Sequence, residues 1–262
     1  MHAAWPQQST QPFIFIVADN AQRKESRQNN RTLLAALIVE FIGPFALVFF
    51  GEGTVVQTAG ENLVAIALAH GLAISLLVAA AGHISGGVFN PALACDLMAT
   101  GKLAVRRGVM FIVAQLLGAL AAALVLKAIL PAAAVAAVQL GTPAPGAGIG
   151  AGGALVAEIV MTFMLMFVVF GVAIDKRGTA PIAGLAIGLT ITLGILFSAN
   201  VSGGAMNPAR ALAPALAQGT LGNSWIYIIG PILGAVAAAL LYATLMLDPK
   251  TENPPIALPR KK

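Results

Sequence analysis

The amino-acid sequence predicts an all-α membrane protein with six transmembrane helices, two re-entrant half-helices and an inverted 3+3 repeat. Of its 262 residues, 58% are hydrophobic and only 10% are charged, whereas roughly a quarter are charged in a soluble domain. Six apolar stretches are long enough to cross a bilayer, which takes about 20 residues. Two shorter apolar stretches each begin with Gly-Gly-x-x-Asn-Pro-Ala. This repetition indicates a duplicated fold.

The six predicted spans are separated by short segments whose charges set the orientation of the chain. Of the 15 Lys and Arg residues, 13 fall before the first, third and fifth spans or after the sixth. Cytoplasmic loops carry an excess of Lys and Arg, so this side, which includes both termini, is predicted to be cytoplasmic. The net charge of +5 therefore belongs to loops rather than to a nucleic-acid-binding surface. The spans are predicted at 33–56, 63–82, 108–130, 154–174, 181–199 and 225–247.

The chain divides into two related halves with a polar tail at each end. The residues before the first span lack the apolar run and cleavage site of a signal peptide, so they are predicted to form a tail. The predicted parts are a disordered cytoplasmic N-terminal tail at 1–32, a first repeat at 33–130, a linker at 131–153, a second repeat at 154–247 and a cytoplasmic C-terminal tail at 248–262.

The duplication is visible in the spacing of two acidic residues from the two Asn-Pro-Ala motifs. Glu40 lies 50 residues before Asn90, and Glu158 lies 49 residues before Asn207. Because each half contains three spans, the second half enters the membrane in the opposite sense. The first half-helix is therefore predicted to enter from the cytoplasm and the second from outside, with Asn90 and Asn207 as their N-caps at mid-membrane.

Two half-helices that end inside the membrane indicate a pore. Non-spanning backbone is tolerated at that depth only where protein buries it or water wets it. The two N-termini direct the positive ends of their dipoles to one point, which repels cations and protons. The amides of Asn90 and Asn207 are placed to orient a passing water there. An ordinary helix cap is the alternative interpretation of a single Asn-Pro-Ala motif, and two copies favour the pore.

The residues around both motifs resemble the aquaporin and aquaglyceroporin family. The matching stretches are 82–92 and 202–210, together with Glu40 and Glu158. The resemblance implies that the two acids brace the half-helix loops by accepting backbone hydrogen bonds, with a proton relay as the alternative. It also implies that the pore motifs consist of Asn90, Pro91, Ala92, Asn207, Pro208 and Ala209.

Selectivity in this family is set at an outer constriction, and the resemblance assigns that filter to four residues. They are His70, Ile195, Gly204 and Arg210. The combination is similar to that of some plant tonoplast intrinsic proteins, which the resemblance links to ammonia as well as water. A guanidinium with five donors and a permanent charge suits the binding of water and the rejection of cations. A purely structural role for Arg210 or His70 is the alternative.

Other residues limit the range of functions. His83, before the first half-helix, is predicted to line the inner vestibule rather than to sense pH. Ala211 stands where glycerol-conducting members carry Asp, which disfavours glycerol. The sequence has no nucleophile with a base partner, no Cys/His metal spacing and no phosphate-binding Gly loop. We therefore predict no enzyme activity, no metal and no cofactor.

The leading hypothesis is a passive channel for water, and for ammonia or other small neutral solutes, that excludes protons and ions. The alternatives are a glycerol or small-polyol facilitator, a secondary transporter built on the same kind of inverted repeat, and a receptor or scaffold without flux. The resemblance implies a homotetramer with a pore in each subunit. The predicted partners are the solutes and the lipid bilayer, without nucleic acid, and the predicted location is the cell (inner) membrane.

Overall fold

The computed structural model describes residues 26–248, and within that range it contains helices and connecting turns but no strand. Six long helices form the body of the protein: α1 Ser26–Gln57, α2 Leu63–Ser85, α4 Val105–Ile129, α6 Ala151–Val169, α7 Ala183–Ser198 and α9 Ile226–Leu245. Two short helices are the half-helices: α3 Pro91–Ala99 and α8 Pro208–Gln218. A further short helix, α5 Ala132–Ala137, lies in the connection between the two halves.

The six long helices are apolar enough to cross a membrane. Their candidate spans are 19 to 26 residues long and have mean hydropathies between 2.1 and 2.5. The fourth span includes a π-helical turn, Phe170–Ile174, at the end of α6, and the fifth begins with a 3-10 turn, Ala180–Ile182. The predicted fold of six spans and two half-helices is confirmed.

One predicted boundary is wrong. Helix α1 begins at Ser26, so residues 26–32 are helical where the sequence predicted a disordered tail. The apolar pattern begins only near residue 32, and a helix continues into polar sequence when its Arg and Gln residues favour helix. The rest of the two predicted tails, 1–25 and 249–262, lies outside the described residues.

The two halves use equivalent close contacts between helices. A Cβ atom added at Gly118 of α4 would lie 2.0 Å from the carbonyl oxygen of Phe41, and one added at Gly234 of α9 would lie 2.2 Å from that of Ile159. Phe41 and Ile159 directly follow the two repeated glutamates. Helix α1 therefore packs on α4 as α6 packs on α9, through glycines that let the backbones approach.

Helices α2 and α7, which come from different halves, pack on each other in the same way. A Cβ atom at Gly71 would lie 2.4 Å from the carbonyl oxygen of Gly188, and one at Gly188 would lie 2.3 Å from that of Gly71. The Thr192 hydroxyl donates to the carbonyl oxygen of Ala67 at 3.2 Å. This contact joins the two halves.

Two charged groups at the ends of the spans hold neighbouring elements together. The Lys127 ammonium, near the end of α4, donates to the carbonyl oxygen of Ala217 at the C-terminal end of α8. A cation stabilises that end of a helix dipole. After α6, Arg177 donates to both carboxylate oxygens of Asp175, at 3.0 and 2.6 Å, and also to the carbonyl oxygen of Met246 after α9. Hydrogen bonds from the Arg177 side chain lower the pKa of Asp175 from its ordinary value.

Candidate functional site

Each half-helix begins at an asparagine that caps it. The Asn90 Oδ1 atom accepts from the N–H of Ala92 at 2.9 Å, and the Asn207 Oδ1 atom accepts from the N–H of Ala209 at 2.9 Å. Both asparagines have extended backbone, and a proline follows each as the first helical residue. The short side chain and the proline together start a helix abruptly. The predicted N-caps are confirmed.

The two capping asparagines also join the half-helices to each other. The Asn90 amide donates to the carbonyl oxygen of Met206 at 2.9 Å, and the Asn207 amide donates to that of Phe89 at 2.9 Å. Phe89 and Met206 have φ of 49° and 52°, a conformation that non-glycine residues rarely adopt. An amide group carries two N–H donors, so this reciprocal pair uses one donor of each asparagine.

Glu40 holds the loop before the first half-helix. Its Oε1 atom accepts from the Ser85 hydroxyl at 2.6 Å and from the N–H of Val88 at 3.0 Å. Its Oε2 atom accepts from the N–H of Phe89 at 2.8 Å and from the Gln115 amide at 2.7 Å. Four donors on a fully buried carboxylate match the bracing contacts implied by the resemblance.

Glu158 makes the equivalent contacts in the second half. Its Oε1 atom accepts from the Ser202 hydroxyl at 2.8 Å and from the N–H of Ala205 at 2.9 Å. Its Oε2 atom accepts from the N–H of Met206 at 2.7 Å. Glu158 therefore fixes the same residue whose carbonyl oxygen receives the Asn90 amide. Neither glutamate lines the cavity between the half-helices.

A cavity lies where the half-helices meet. Both asparagines line it, together with residues from α1, α2, α6 and α7. Its polar side chains are His70, Asn90, Asn207 and Arg210, and its aliphatic side chains include Leu47, Ile74, Val78, Leu93, Ile187, Ile191 and Ile195. A mostly aliphatic wall with few polar groups lets a small solute pass while holding it at only a few points.

Three of the four predicted filter residues line this cavity. They are His70, Ile195 and Arg210, whose exposed fractions are 1%, 2% and 4%. Gly204 is not among the lining residues. Its φ of 63° favours glycine, and an added Cβ atom would lie 2.8 Å from the Ser198 hydroxyl and 3.3 Å from Ile195. Gly204 thus lets the loop pack against Ile195.

The hydrogen bond of His70 fixes the role of Nδ1. Nδ1 lies 2.8 Å from the carbonyl oxygen of Ile66. A carbonyl oxygen only accepts, so Nδ1 carries a proton and Nε2 of the neutral ring is an acceptor. The ring lies against Gly51, where an added Cβ atom would lie 2.4 Å from Nε2. Within the part of the chain that the structure describes, neither His70 Nε2 nor Arg210 Nη1 has a hydrogen-bond partner.

Glu52, which was not predicted from the sequence, lies beside His70 and Arg210. Its carboxylate is fully buried, and its Oε1 atom lies 3.1 Å from Arg210 Nε and 3.6 Å from His70 Nε2. An acidic residue inside the first predicted span is the signal that would have identified it, since ionisable groups inside membranes are rare and paired.

The structure does not place His83 in the cavity, so the prediction that it lines the inner vestibule gains no support. His83 is exposed, whereas the neighbouring Gly82 is buried. Successive residues of a helix point about 100° apart. The helix face that carries Gly82 and Gly86 toward the interior therefore turns His83 away from it.

A comparison with protein families decides what this arrangement is. The family model described as major intrinsic protein matches residues 27–242. The chain belongs to this family. Major intrinsic proteins are channels, and this one is a multi-pass membrane protein that forms a passive channel for water and small solutes. The resemblance identified from the two Asn-Pro-Ala motifs is confirmed.

Relatives of this major intrinsic protein occur in organisms as different as a plant and a bacterium. It is 38% identical over 235 residues to aquaporin TIP2-1 of Arabidopsis thaliana, across 86% of this chain and 92% of that one. It is 40% identical over 205 residues to glycerol uptake facilitator protein-like 6 of Lactiplantibacillus plantarum, across 77% of this chain and 94% of that one. Among solved structures, the aquaglyceroporin of Plasmodium falciparum shares the fold, with a TM-score of 0.70, 23% identity, and coverage of 81% of this chain and 96% of that one.

Proposed function

We propose that this channel conducts water and ammonia through the cavity between the half-helices and excludes protons and ions. The observation that carries the proposal is the sparse polar lining of that cavity, in which His70 and Arg210 stand beside a mostly aliphatic wall. Water and ammonia each carry a lone pair and X–H donors in a volume of one heavy atom, so a few polar contacts suffice for either solute.

Proton exclusion rests on the asparagine pair. The N-termini of the half-helices α3 and α8 meet there, and each contributes roughly half a positive charge. The second N–H of each asparagine amide donates to the oxygen of a passing water, which turns its hydrogens away and interrupts a proton-conducting chain. The Arg210 guanidinium adds a barrier to cations at the end of the cavity.

Ammonia passage rests on the filter. The aliphatic side chain of Ile195 offers no hydrogen bond to the permeant, and Gly204 has no side chain to offer one. A neutral solute with few hydrogen bonds to lose passes such a wall at lower cost than one with many. This set of residues is similar to the filter of some tonoplast intrinsic proteins, and one relative is an aquaporin of the TIP type.

Passage of glycerol or another small polyol is the second candidate. The observation that favours it is the 40% identity with a protein named as a glycerol uptake facilitator-like protein. Ala211 is buried, apolar and adjacent to Arg210, so it offers no acceptor for a hydroxyl group. A polyol with several hydroxyl groups would leave some of them unpaired along the aliphatic wall, and each loss costs about 1–3 kcal/mol.

Stopped-flow measurements on proteoliposomes test the proposal. Vesicles with the wild-type chain, with His70→Phe/Ile195→His, or with the matched control His83→Phe are exposed to water, ammonia and glycerol gradients. We expect the double variant to lose most ammonia flux and to keep most water flux, because the filter becomes narrower and more polar. The exposed control keeps both. Unchanged ammonia flux in the double variant contradicts the proposed filter, and glycerol flux above that of empty vesicles favours the second candidate.

We also propose that both termini face the cytoplasm of a cell in its inner membrane, and that the channel assembles as a homotetramer. The orientation rests on Arg106, Arg107, Lys176 and Arg177, which lie on the side where α1 begins and α9 ends. Single cysteines introduced at residues 61 and 177 in a Cys95→Ser background test it, because an impermeant reagent on intact cells labels only the external one. Native mass spectrometry measures the oligomeric state, and a monomer in mild detergent contradicts the tetramer.

A further inference from the structure

Glu52 lies behind the filter rather than in it. It belongs to α1, is fully buried and is not among the residues that line the cavity. Its two nearest ionisable neighbours, His70 and Arg210, do line the cavity and come from α2 and α8. The carboxylate therefore connects a third helix to the two groups that a permeant meets.

The Glu52 carboxylate faces the Nε atom of the Arg210 side chain. Its Oε1 atom lies 3.1 Å from Nε, an ion-pair distance, although neither Nε nor Nη1 has a partner with hydrogen-bond geometry among the described residues. The ion pair is therefore made at Nε rather than at the far end of the guanidinium. A buried charge is stable only when paired, so each member of this pair depends on the other for its place.

The surroundings hold Glu52 in place. On its other side, Oε2 lies close to Gly141 of the turn Gln139–Gly141, where an added Cβ atom would lie 2.1 Å from it. Gly141 has φ of 70°, so glycine suits this position for its backbone as well as for space. Two other buried titratable groups of the described residues lie near Arg210: Tyr227 of α9 and Glu158 of α6.

We propose that Glu52 is a positioning residue of the filter, which holds the Arg210 guanidinium against the channel wall and offsets part of its charge. The inference rests on the proposed role of Arg210 in the filter and is independent of which solute passes. Without Glu52 the guanidinium reaches into the cavity and its positive charge is uncompensated. The channel then becomes narrower for water and attracts anions.

The test is a double-mutant cycle between Glu52 and Arg210 in proteoliposomes. The variants are Glu52→Gln, which removes the charge and keeps the shape, Arg210→Leu, and their combination. Osmotic water permeability and chloride influx with valinomycin-carried potassium are measured for each. Glu61→Gln is the matched control, because Glu61 is an exposed glutamate in the short connection between α1 and α2.

Glu52→Gln is expected to lower water permeability and to raise chloride influx in the native background, each by about twofold or more, and to do neither in the Arg210→Leu background. When two residues are in contact, the effect of the double substitution usually differs from the combined single effects by at least about twofold. The same fractional effect in both backgrounds, or no effect in the native one, overturns the proposal. The cycle measures water and chloride but not ammonia. A failure of the Glu52 proposal is therefore distinct from a failure of the ammonia proposal.

A second variant separates position from charge and remains informative if Glu52→Gln does not fold. Glu52→Asp keeps the charge and withdraws the carboxylate by one methylene. It is expected to lower water permeability without raising chloride influx. If Glu52 has only a structural role, Glu52→Asp should have native water permeability once it is folded, as judged by a symmetric size-exclusion peak. That result overturns the proposal.

Discussion

Replacing Glu158 by Gln tests the bracing of the second half-helix loop. The carboxylate accepts from the N–H groups of Ala205 and Met206 and from the Ser202 hydroxyl. A glutamine offers one oxygen, so it can satisfy one of the two backbone donors, while its NH2 group faces the other. The serine hydroxyl can rotate to accept, but the second N–H cannot.

The loss of stability expected for Glu158→Gln follows from the number of N–H groups that lose their acceptor. One buried N–H left unsatisfied costs about 1–3 kcal/mol, and the loss of charge assistance in the remaining bonds adds roughly 1 kcal/mol. For a domain of this size, 1 kcal/mol corresponds to about 2–4 °C in the unfolding midpoint. Glu158→Gln is therefore expected to lower the midpoint by roughly 4–16 °C. Glu40→Gln should cost at least as much, because Glu40 has four donors.

The assay is thermal unfolding in detergent, followed by size-exclusion fluorescence, with osmotic water permeability measured on the same preparations. Water permeability should fall as well, because Met206 is both held by Glu158 and the acceptor for the Asn90 amide. Glu61→Gln serves as the exposed control. A midpoint within 1 °C of the wild type for both Glu40→Gln and Glu158→Gln would refute the reasoning, since it would mean that the loops keep their shape without the carboxylates.

Three further variants test the contacts between helices. Lys127→Met should lower the unfolding midpoint by only about 1–4 °C, because a cation at a helix C-terminus is worth about 0.3–1 kcal/mol; a loss above 8 °C would contradict a dipole role. Gly118→Val should prevent folding, measured as loss of the monodisperse size-exclusion peak, since its Cβ atom meets the Phe41 carbonyl oxygen at 2.0 Å; a stable, active variant would show that α1 and α4 separate easily. The pKa of Asp175 is lowered in the fold by Arg177, so this pair stabilises the protein above the unfolded pKa of about 3.9 and loses that contribution as pH falls through the folded value. Asp175→Asn should flatten the pH dependence of the midpoint below about pH 4, and an unchanged slope would contradict the assignment.

The sequence predicted the spans well because each is set by a local property. An apolar run of about 20 residues is long enough to span the hydrocarbon core of a bilayer. The predicted spans agree with the observed helices except at the N-terminus of α1. There, a helix extends beyond the membrane into polar sequence from Ser26, and hydropathy alone does not register such an extension. The half-helices were predicted for a similar reason, since Asn followed by Pro starts a helix through contacts within two residues.

The missed features depend on contacts between distant parts of the chain. Glu52 pairs with Arg210, and Gln115 donates to Glu40, and no local pattern indicates which helices bring such residues together. The prediction that His83 lines the inner vestibule gained no support for a different reason, because it used the distance of His83 from the motif in sequence without the helix face on which His83 lies. Gly204 has no side chain to present, so its place in the motif indicated a loop conformation rather than a lining surface.

The most direct test of the account is a flux measurement on proteoliposomes that contain a pH-sensitive dye. An inward ammonia gradient should make the interior of vesicles with the wild-type channel alkaline faster than that of empty vesicles. In the same vesicles, a negative-inside potassium diffusion potential should cause no faster acidification than in empty vesicles, because the asparagine pair interrupts proton transfer. Alkalinisation at the rate of empty vesicles, or acidification driven by the potential, would contradict a channel that passes water and ammonia and excludes protons.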